Sequence, residues 1–223
     1  MRMVLAAAMA AFALATPASA GPWSDEASHL AFVAPDGWNV RQLPAEGMTY
    51  ILADAGGKEC HIMASQRPDT AGISPERIRA GGETPIGDAA WAQIPGALPT
   101  VLAADAAVMQ SSVDTSAFWP VQRADYNSQG QVVHAAIQFR PGVEFWGFCF
   151  SRTGADDAAT YEGVLRSIAG TNDAELQANI DDRRRGRRRD QEARDAGSRA
   201  AMDEAMRNTL QDRAMEALGR SQQ

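Results

Sequence analysis

Residues 117–151 read AFWPVQRADYNSQGQVVHAAIQFRPGVEFWGFCFS, and this stretch decides the fold class. Three runs rich in β-branched and aromatic residues, Ala117 to Tyr126, Gln131 to Phe139 and Val143 to Ser151, are separated by Asn127-Ser128-Gln129-Gly130 and by Arg140-Pro141-Gly142. Gly-containing turns of this length join neighbouring antiparallel strands, so the stretch predicts a three-stranded meander. Side chains alternate along a strand. In the last run Trp146, Phe148 and Phe150 therefore share one face, and Phe145, Gly147 and Cys149 share the other. A strand that is apolar on both faces belongs in the interior of a sheet.

On the C-terminal side, Gly154 is followed by Asp156 or Asp157 as a helix cap and by Tyr161, Val164, Leu165 and Ile168 at helical spacing. Gly170 closes this short amphipathic helix. On the N-terminal side, His29 to Ala34, Trp38 to Leu43, Met48 to Ala53 and Lys58 to Ser65 read as strands, with Pro35-Asp36-Gly37 and Ala55-Gly56-Gly57 as turns. Ser74-Pro75-Glu76 starts a helix that Gly81-Gly82 stops. Residues 83–99 read as irregular, and Thr100 to Val113, apolar and compatible with helix or strand, is taken as strand. The sum is an α+β fold: an antiparallel sheet flanked by short helices, over residues 21–171.

From Asn172 the composition changes to Ala, Arg, Asp, Glu and Gln. Asn172 and Glu175 have capping-box spacing, and residues 172–223 read as a charged helical tail with a thin apolar stripe through Leu176, Ile180, Met202, Met206, Leu210 and Ala214. Gly186 and Gly197 are its weak points. The stripe lacks the sustained heptad of a coiled coil. Charge divides unevenly: residues 21–172 carry nine Lys and Arg against seventeen Asp and Glu, and residues 173–223 eleven against eleven.

Residues 1–20 read as a secretory signal peptide, with Arg2 near the start, an apolar run from Val4 to Ala15, and Ala18-Ser19-Ala20 before the cut. The run is too short to span a membrane. The longest uncharged stretch downstream, Ala89 to Ala104, is broken by Pro95 and Pro99, so no transmembrane segment is expected in the mature chain. An exported, periplasmic chain with two cysteines is expected to pair them, which predicts a buried Cys60–Cys149 disulfide.

Phe32-Val33-Ala34-Pro35-Asp36-Gly37-Trp38-Asn39-Val40 resembles the opening of the PsbP-like sandwich proteins, a group that includes the PsbP extrinsic subunits of photosystem II, the Ran-binding Mog proteins and periplasmic DcrB-type proteins. Tyr161-Glu162-Gly163-Val164-Leu165-Arg166-Ser167-Ile168 looks like the closing helix of that fold. The resemblance spans roughly residues 24–170 and implies a mostly non-catalytic binding or assembly factor built on an antiparallel sheet. It carries over no functional residue, and the tail has no counterpart in it.

Catalytic signatures are missing from the sequence. There is no Gly-x-Ser-x-Gly, no phosphate-cradling Gly-rich loop, no His-Glu-x-x-His and no Cys-x-x-Cys. His29, His61 and His134 all fall in predicted strands without ligand spacing, and Cys60 and His61, being adjacent on a strand, point to opposite faces. The expectation is no catalytic residue, no metal and no cofactor. Arg183, Arg184, Arg185, Arg187, Arg188 and Arg189 form the remaining feature, a possible anion-binding patch. In an exported chain its counter-surface would be an anionic envelope surface or an envelope protein rather than nucleic acid. Asp181, Asp182, Asp190, Glu192 and Asp195 compete for those cations along a helix. The reading is a non-enzymatic periplasmic binding or envelope-assembly factor. The rivals are an exported enzyme whose site is assembled from distant residues, and an interaction protein acting through its Arg-rich tail.

Overall fold

A computed structural model describes residues 21–97 and 101–220 of the chain. The signal-peptide reading of residues 1–20 lies outside them. Two compact units divide between Asp173 and Ala174. The first is an α+β unit. Strands β1 (Gly21–Asp25), β2 (Leu30–Ala34), β3 (Asn39–Leu43), β4 (Met48–Ala55) and β5 (Lys58–Gln66) precede helices α1 (Pro75–Gly82), α2 (Asp88–Trp91) and α3 (Ile94–Ala97). Strands β6 (Ala107–Asp114), β7 (Val121–Ser128), β8 (Gln131–Arg140) and β9 (Val143–Ser151) follow, then α4 (Ala158–Ser167) and β10 (Ala169–Gly170). A seven-stranded antiparallel sheet runs β3-β4-β5-β9-β8-β7-β6, and a smaller sheet runs β1-β2-β10. The second unit is the rest of α5 (Asp173–Arg220), a 48-residue helix.

Turn chemistry sets the register of the large sheet. Between β4 and β5 the turn is Gly56-Gly57, with φ of +57° and +84°, and between β7 and β8 it is Gln129-Gly130, with φ of +53° and +79°. Two consecutive left-handed residues make the tight hairpin whose twist matches that of its strands. The β8–β9 turn is Pro141-Gly142, where Gly142 takes φ +80°. Each turn pins a ladder, so Ser128 faces Gln131 and Arg140 faces Val143.

The inner strands of the sheet are buried on both faces. On one, Ile51, Ala53, Cys60, Ile62, Ala136, Phe145 and Cys149 form a core with Leu30 and Phe32 of β2, with Tyr161, Val164 and Leu165 of α4 and with Ile168 just after it. Helix α4 lies directly on the backbone of β9, because a Cβ at Gly147 would stand 2.5 Å from Leu165 Cδ2 and 2.7 Å from Ile168 Cδ1. On the other face Met63, Tyr126, Val133, Ile137, Phe148 and Phe150 pack with Trp91 of α2, Ile94 of α3 and Leu102. The fully buried Gln122 holds this covering segment in place, donating to Gly82 O and Thr84 O and accepting from Ile86 N.

Several expectations need correction. The first strand of the meander begins at Val121 rather than Ala117, because Pro120 has no N–H to give the ladder. Within residues 83–99 the chain forms the single turns α2 and α3, anchored by Trp91 and Ile94, so it is not wholly irregular. The strand taken over Thr100 to Val113 is confined to Ala107–Asp114; Val101 and Leu102 fill the core instead, and Thr100 lies outside the described residues. His29 sits at φ +56° in the turn before β2, not in a strand. The helix after Gly154 ends at Ser167, and Ala169–Gly170 pairs with β2 as β10.

Candidate functional site

The predicted disulfide is present. Cys60 and Cys149 stand opposite each other on β5 and β9, with Cα atoms 4.1 Å apart, and both are fully buried in the core beneath α4. So enclosed a bond is structural rather than an exchange centre. His61 does point to the opposite face from Cys60. Its ring stacks on Phe150 at 5.4 Å, its Nδ1 meets Tyr50 Oη, and its Nε2 lies 3.2 Å from Glu59. Burial pushes its pKa below the usual histidine value against the pull of Glu59. His29 is exposed, 3.3 Å from Thr171 Oγ1. The three histidines therefore occupy three separate places.

The tail arginines lie along α5. At 100° per residue, Arg183, Arg184, Arg185, Arg187, Arg188 and Arg189 spread around most of the helix instead of forming one cationic face. Asp182 pairs with Arg185, and Arg188 Nε lies 3.7 Å from Glu192 Oε1.

Sequence reading missed a large cleft. It has a volume of about 860 Å³ and lies in the first unit, between α4 and the strands β6, β7 and β8. At its floor Asp125 of β7 faces His134 of β8, because the Gln129-Gly130 turn puts them opposite each other. His134 Nδ1 lies 2.8 Å from Asp125 Oδ1, and its Nε2 lies 3.0 Å from both oxygens of Asp156, in the approach to α4. The hydrogen bond to Asp125 raises the pKa of His134 and lowers that of Asp125. Ionised carboxylates only accept hydrogen bonds, so an imidazole between two of them can satisfy both only when it is protonated, which is why they favour its cation.

A second cluster forms the wall. Arg123 of β7 pairs with Glu162 of α4 and lies 3.5 Å from Asp114 of β6, and Arg166 pairs with Glu162 and lies 3.7 Å from the same Asp114. Asp114 also accepts from Ser116 N and Oγ, which hold its pKa below the ordinary carboxylate range. The start of α4 is fixed where it stands: Asp157 caps Thr160 N and pairs with Lys58 of β5. Carboxylates and cations alternate around the cleft and neutralise each other. Among the described residues, no group of three or more His, Cys, Asp and Glu side chains is arranged to hold a metal ion.

One signal in the sequence could have found the floor. A two-residue Gln129-Gly130 turn fixes Ser128 opposite Gln131, and counting back from it brings Asp125 against His134. Reading Asn127 to Gly130 as one four-residue loop hid that pair. Asp156, Glu162 and Arg166 had no such signal, because they reach the cleft only through the docking of α4.

No family model matches the chain, and no curated protein matches it. Solved structures to which it is similar include the solution structure of cyanobacterial PsbP (CyanoP) from Synechocystis sp. PCC 6803, 12% identical, with a TM-score of 0.46, covering 73% of this chain and 98% of that one. They also include a crystal structure from Bacteroides thetaiotaomicron VPI-5482, 11% identical, with a TM-score of 0.37, covering 68% of this chain and 48% of that one.

Proposed function

We propose that this chain is a non-catalytic binding factor of an oxidising, extracytoplasmic compartment, the periplasm, and that its partner is received in the cleft between α4 and strands β6 to β8. The disulfide fits a chain that folds where thiols oxidise. No helix among the described residues is long and apolar enough to cross a membrane.

The observation that carries the binding reading is the double engagement of His134. A general base needs a free nitrogen facing the proton it takes, and here both nitrogens lie within hydrogen-bond distance of carboxylate oxygens. Two of the three serines that line the cleft also point at carboxylates: Ser111 Oγ donates to Asp88 at 2.6 Å and Ser116 Oγ to Asp114 at 2.6 Å. Groups paired in this way are preorganised to exchange hydrogen bonds with a polar partner without net charge transfer.

The test is capture from envelope extract by the full mature chain and two full-length variants. Ser112→Trp fills the cleft from an exposed position, and the second variant replaces the six arginines from 183 to 189 by Gln. Loss of captured partner with the first variant alone supports the cleft. Loss with the second alone transfers the function to the tail and to an anionic envelope surface or protein. Turnover in a hydrolase and transferase substrate panel that disappears in His134→Gln would replace the binding reading by an enzymatic one.

A further inference from the structure

Resting on the cleft reading, we infer that the partner is an extended polypeptide segment that adds to β6 as an eighth strand of the large sheet. The four sheet edges differ in how they are protected. Strand β1 carries Pro22, β10 is two residues long, and β3 is five residues long, with Arg41 at its centre and Pro44 directly after it. Short length, charge and proline are the ordinary means by which a protein prevents a sheet edge from pairing with another chain. Strand β6 has none of these three over Ala107–Val113, and its one other protection, a bulge, is confined to Val108–Gln110: it runs eight residues, AVMQSSVD, uncharged until Asp114.

Its outer side is open. Among the described residues β6 pairs only with β7, and no backbone hydrogen bond joins it to any other segment. A bulge between Val108 and Gln110 pushes out Met109, which is 59% exposed. From Gln110 to Asp114 alternate residues turn their N–H and C=O away from β7, and among the described residues no backbone group meets them there.

The cleft lies along this edge. Five consecutive β6 residues, Gln110 to Asp114, line it, so it reaches the strand's backbone as well as one side-chain face. Its far wall is α4, with Glu162 and Arg166. An edge strand flanked by a helix, with a groove between them, is the arrangement in which sheets take up a peptide: backbone bonds supply affinity, and alternate side chains entering the groove supply specificity. A segment matched to Gln110–Asp114 would be about 17 Å long at 3.3 to 3.4 Å per residue.

A free segment fits better than a second copy of this chain. The β6 of another copy has little to offer the groove, because its Gln110 already donates to its own Asp125 and its Asp114 already accepts from Ser116 and Arg123. The groove's charges nearly cancel, with Asp114, Asp125, Asp156 and Glu162 facing Arg123, Arg166 and His134. The occupant is therefore a polar segment of low net charge, free of proline because each alternate N–H must reach β6.

The probe is a displayed random dodecapeptide library panned against the full mature chain with its disulfide intact. Enriched peptides are resynthesised and then N-methylated one residue at a time. Strand addition predicts dissociation constants below about 100 µM, roughly −5.5 kcal/mol. It also predicts at least tenfold losses at every second N-methylated residue and slowed amide exchange in residues 107–114. Ser112→Trp should weaken binding, and mutation of the β3 edge should leave it unchanged. The inference is overturned if the N-methyl losses show no period of two, or if protection appears at β3 or in the tail. It is also overturned if no peptide binds, or if the chain alone dimerises with protected β6 amides. If Ser112→Trp still abolishes envelope capture while peptides fail, the cleft reading stands and strand addition alone falls.

Discussion

Strand β9 and the outer part of helix α5 are held by opposite means. Along β9 almost every side chain is covered: Cys149 bonds β5, Phe145 packs among core residues under α4, and Phe148 and Phe150 pack against the segment that closes the other face. Along residues 182–207 of α5 nearly every side chain is exposed, Met202 and Met206 included. There the helix rests on its own backbone hydrogen bonds, on the propensity of Ala, Arg, Glu and Gln, and on pairs such as Arg185–Asp182. The first arrangement is cooperative and the second is additive. A change at β9 should be felt through the whole sheet, whereas a change in the outer part of α5 should be felt within a few turns.

The severest test of that contrast is Cys149→Ser. The bond closes a loop across a sequence separation of 89, for which chain entropy alone gives about 4 to 5 kcal/mol, an upper figure since residual structure in the unfolded chain subtracts from it. Urea unfolding followed by tryptophan fluorescence should show a loss of about 3 to 4 kcal/mol in the sheet unit, out of the roughly 5 to 15 kcal/mol of an ordinary domain. A loss below about 1 kcal/mol would mean that packing on the two faces suffices and that the bond is incidental.

Next in size is the buried cation at the end of β8. Arg140, 3% exposed, donates to Asp173 from Nε at 2.6 Å and from Nη2 at 2.8 Å, and its guanidinium lies 4.4 Å from the centre of the Trp119 ring. Desolvation pushes its pKa down, and Asp173 opposes that shift. Asp173→Ala leaves the guanidinium without a counter-charge, which costs about 3 kcal/mol, at the low end of the range for broken buried pairs because Gln138 Oε1 and Phe139 O remain bonded to it. Arg140→Met with Asp173→Ala should recover most of that loss. A double-mutant cycle without coupling would show that the pair is not the source of the effect.

The two histidines sharpen the contrast within the sheet, since its faces titrate in opposite senses. His134, between Asp125 and Asp156 and beside the Tyr161 ring, has a raised pKa, so its contribution is fully present below about pH 6.5 and is lost as pH rises through the higher folded value. His61, enclosed by Phe150, Tyr50, Glu59 and Arg152, has a lowered pKa. Its contribution is complete above about pH 6.5 and is lost as pH falls through the lower folded value. Between pH 8 and pH 5 the melting temperature of wild type relative to His134→Gln should therefore rise, and that relative to His61→Gln should fall. Parallel slopes for the two variants would refute the assignment.

What could be read from the sequence follows the same division. The interior position of β9 was legible because Phe145 to Phe150 are apolar at both parities, and the disulfide followed from compartment and count. The helical tail was legible from composition alone, since propensity acts residue by residue. Helices α2 and α3 were not, because Trp91 and Ile94 fold a Pro- and Gly-rich stretch only by being buried against Tyr126 and Phe148. The cleft was hidden for a related reason. Its wall is closed by Glu162 and Arg166 reaching Arg123 and Asp114 across about forty to fifty residues of chain, a contact that exists only once α4 has docked over Gly147.

The smallest effect belongs to the tail, and it is the one that can break the additive half of the contrast. Gly186 and Gly197 lie inside α5, and a Cβ at either position meets nothing within 4 Å. Glycine in an exposed helix interior is less favourable than alanine by about 0.5 to 1 kcal/mol, because more backbone freedom is lost on folding and no side chain is gained. Gly186→Ala with Gly197→Ala should therefore deepen the 222 nm circular-dichroism signal and slow tryptic cleavage among Arg183 to Arg189. The sheet unit's melting midpoint should stay within about a degree, since a global shift of 1 kcal/mol would move it by about 2 to 4 degrees at this size. If the midpoint rises by that larger amount, the outer part of α5 shares in the cooperative unit, and its exposed arginines are not a local feature of a helix that stands on its own propensity.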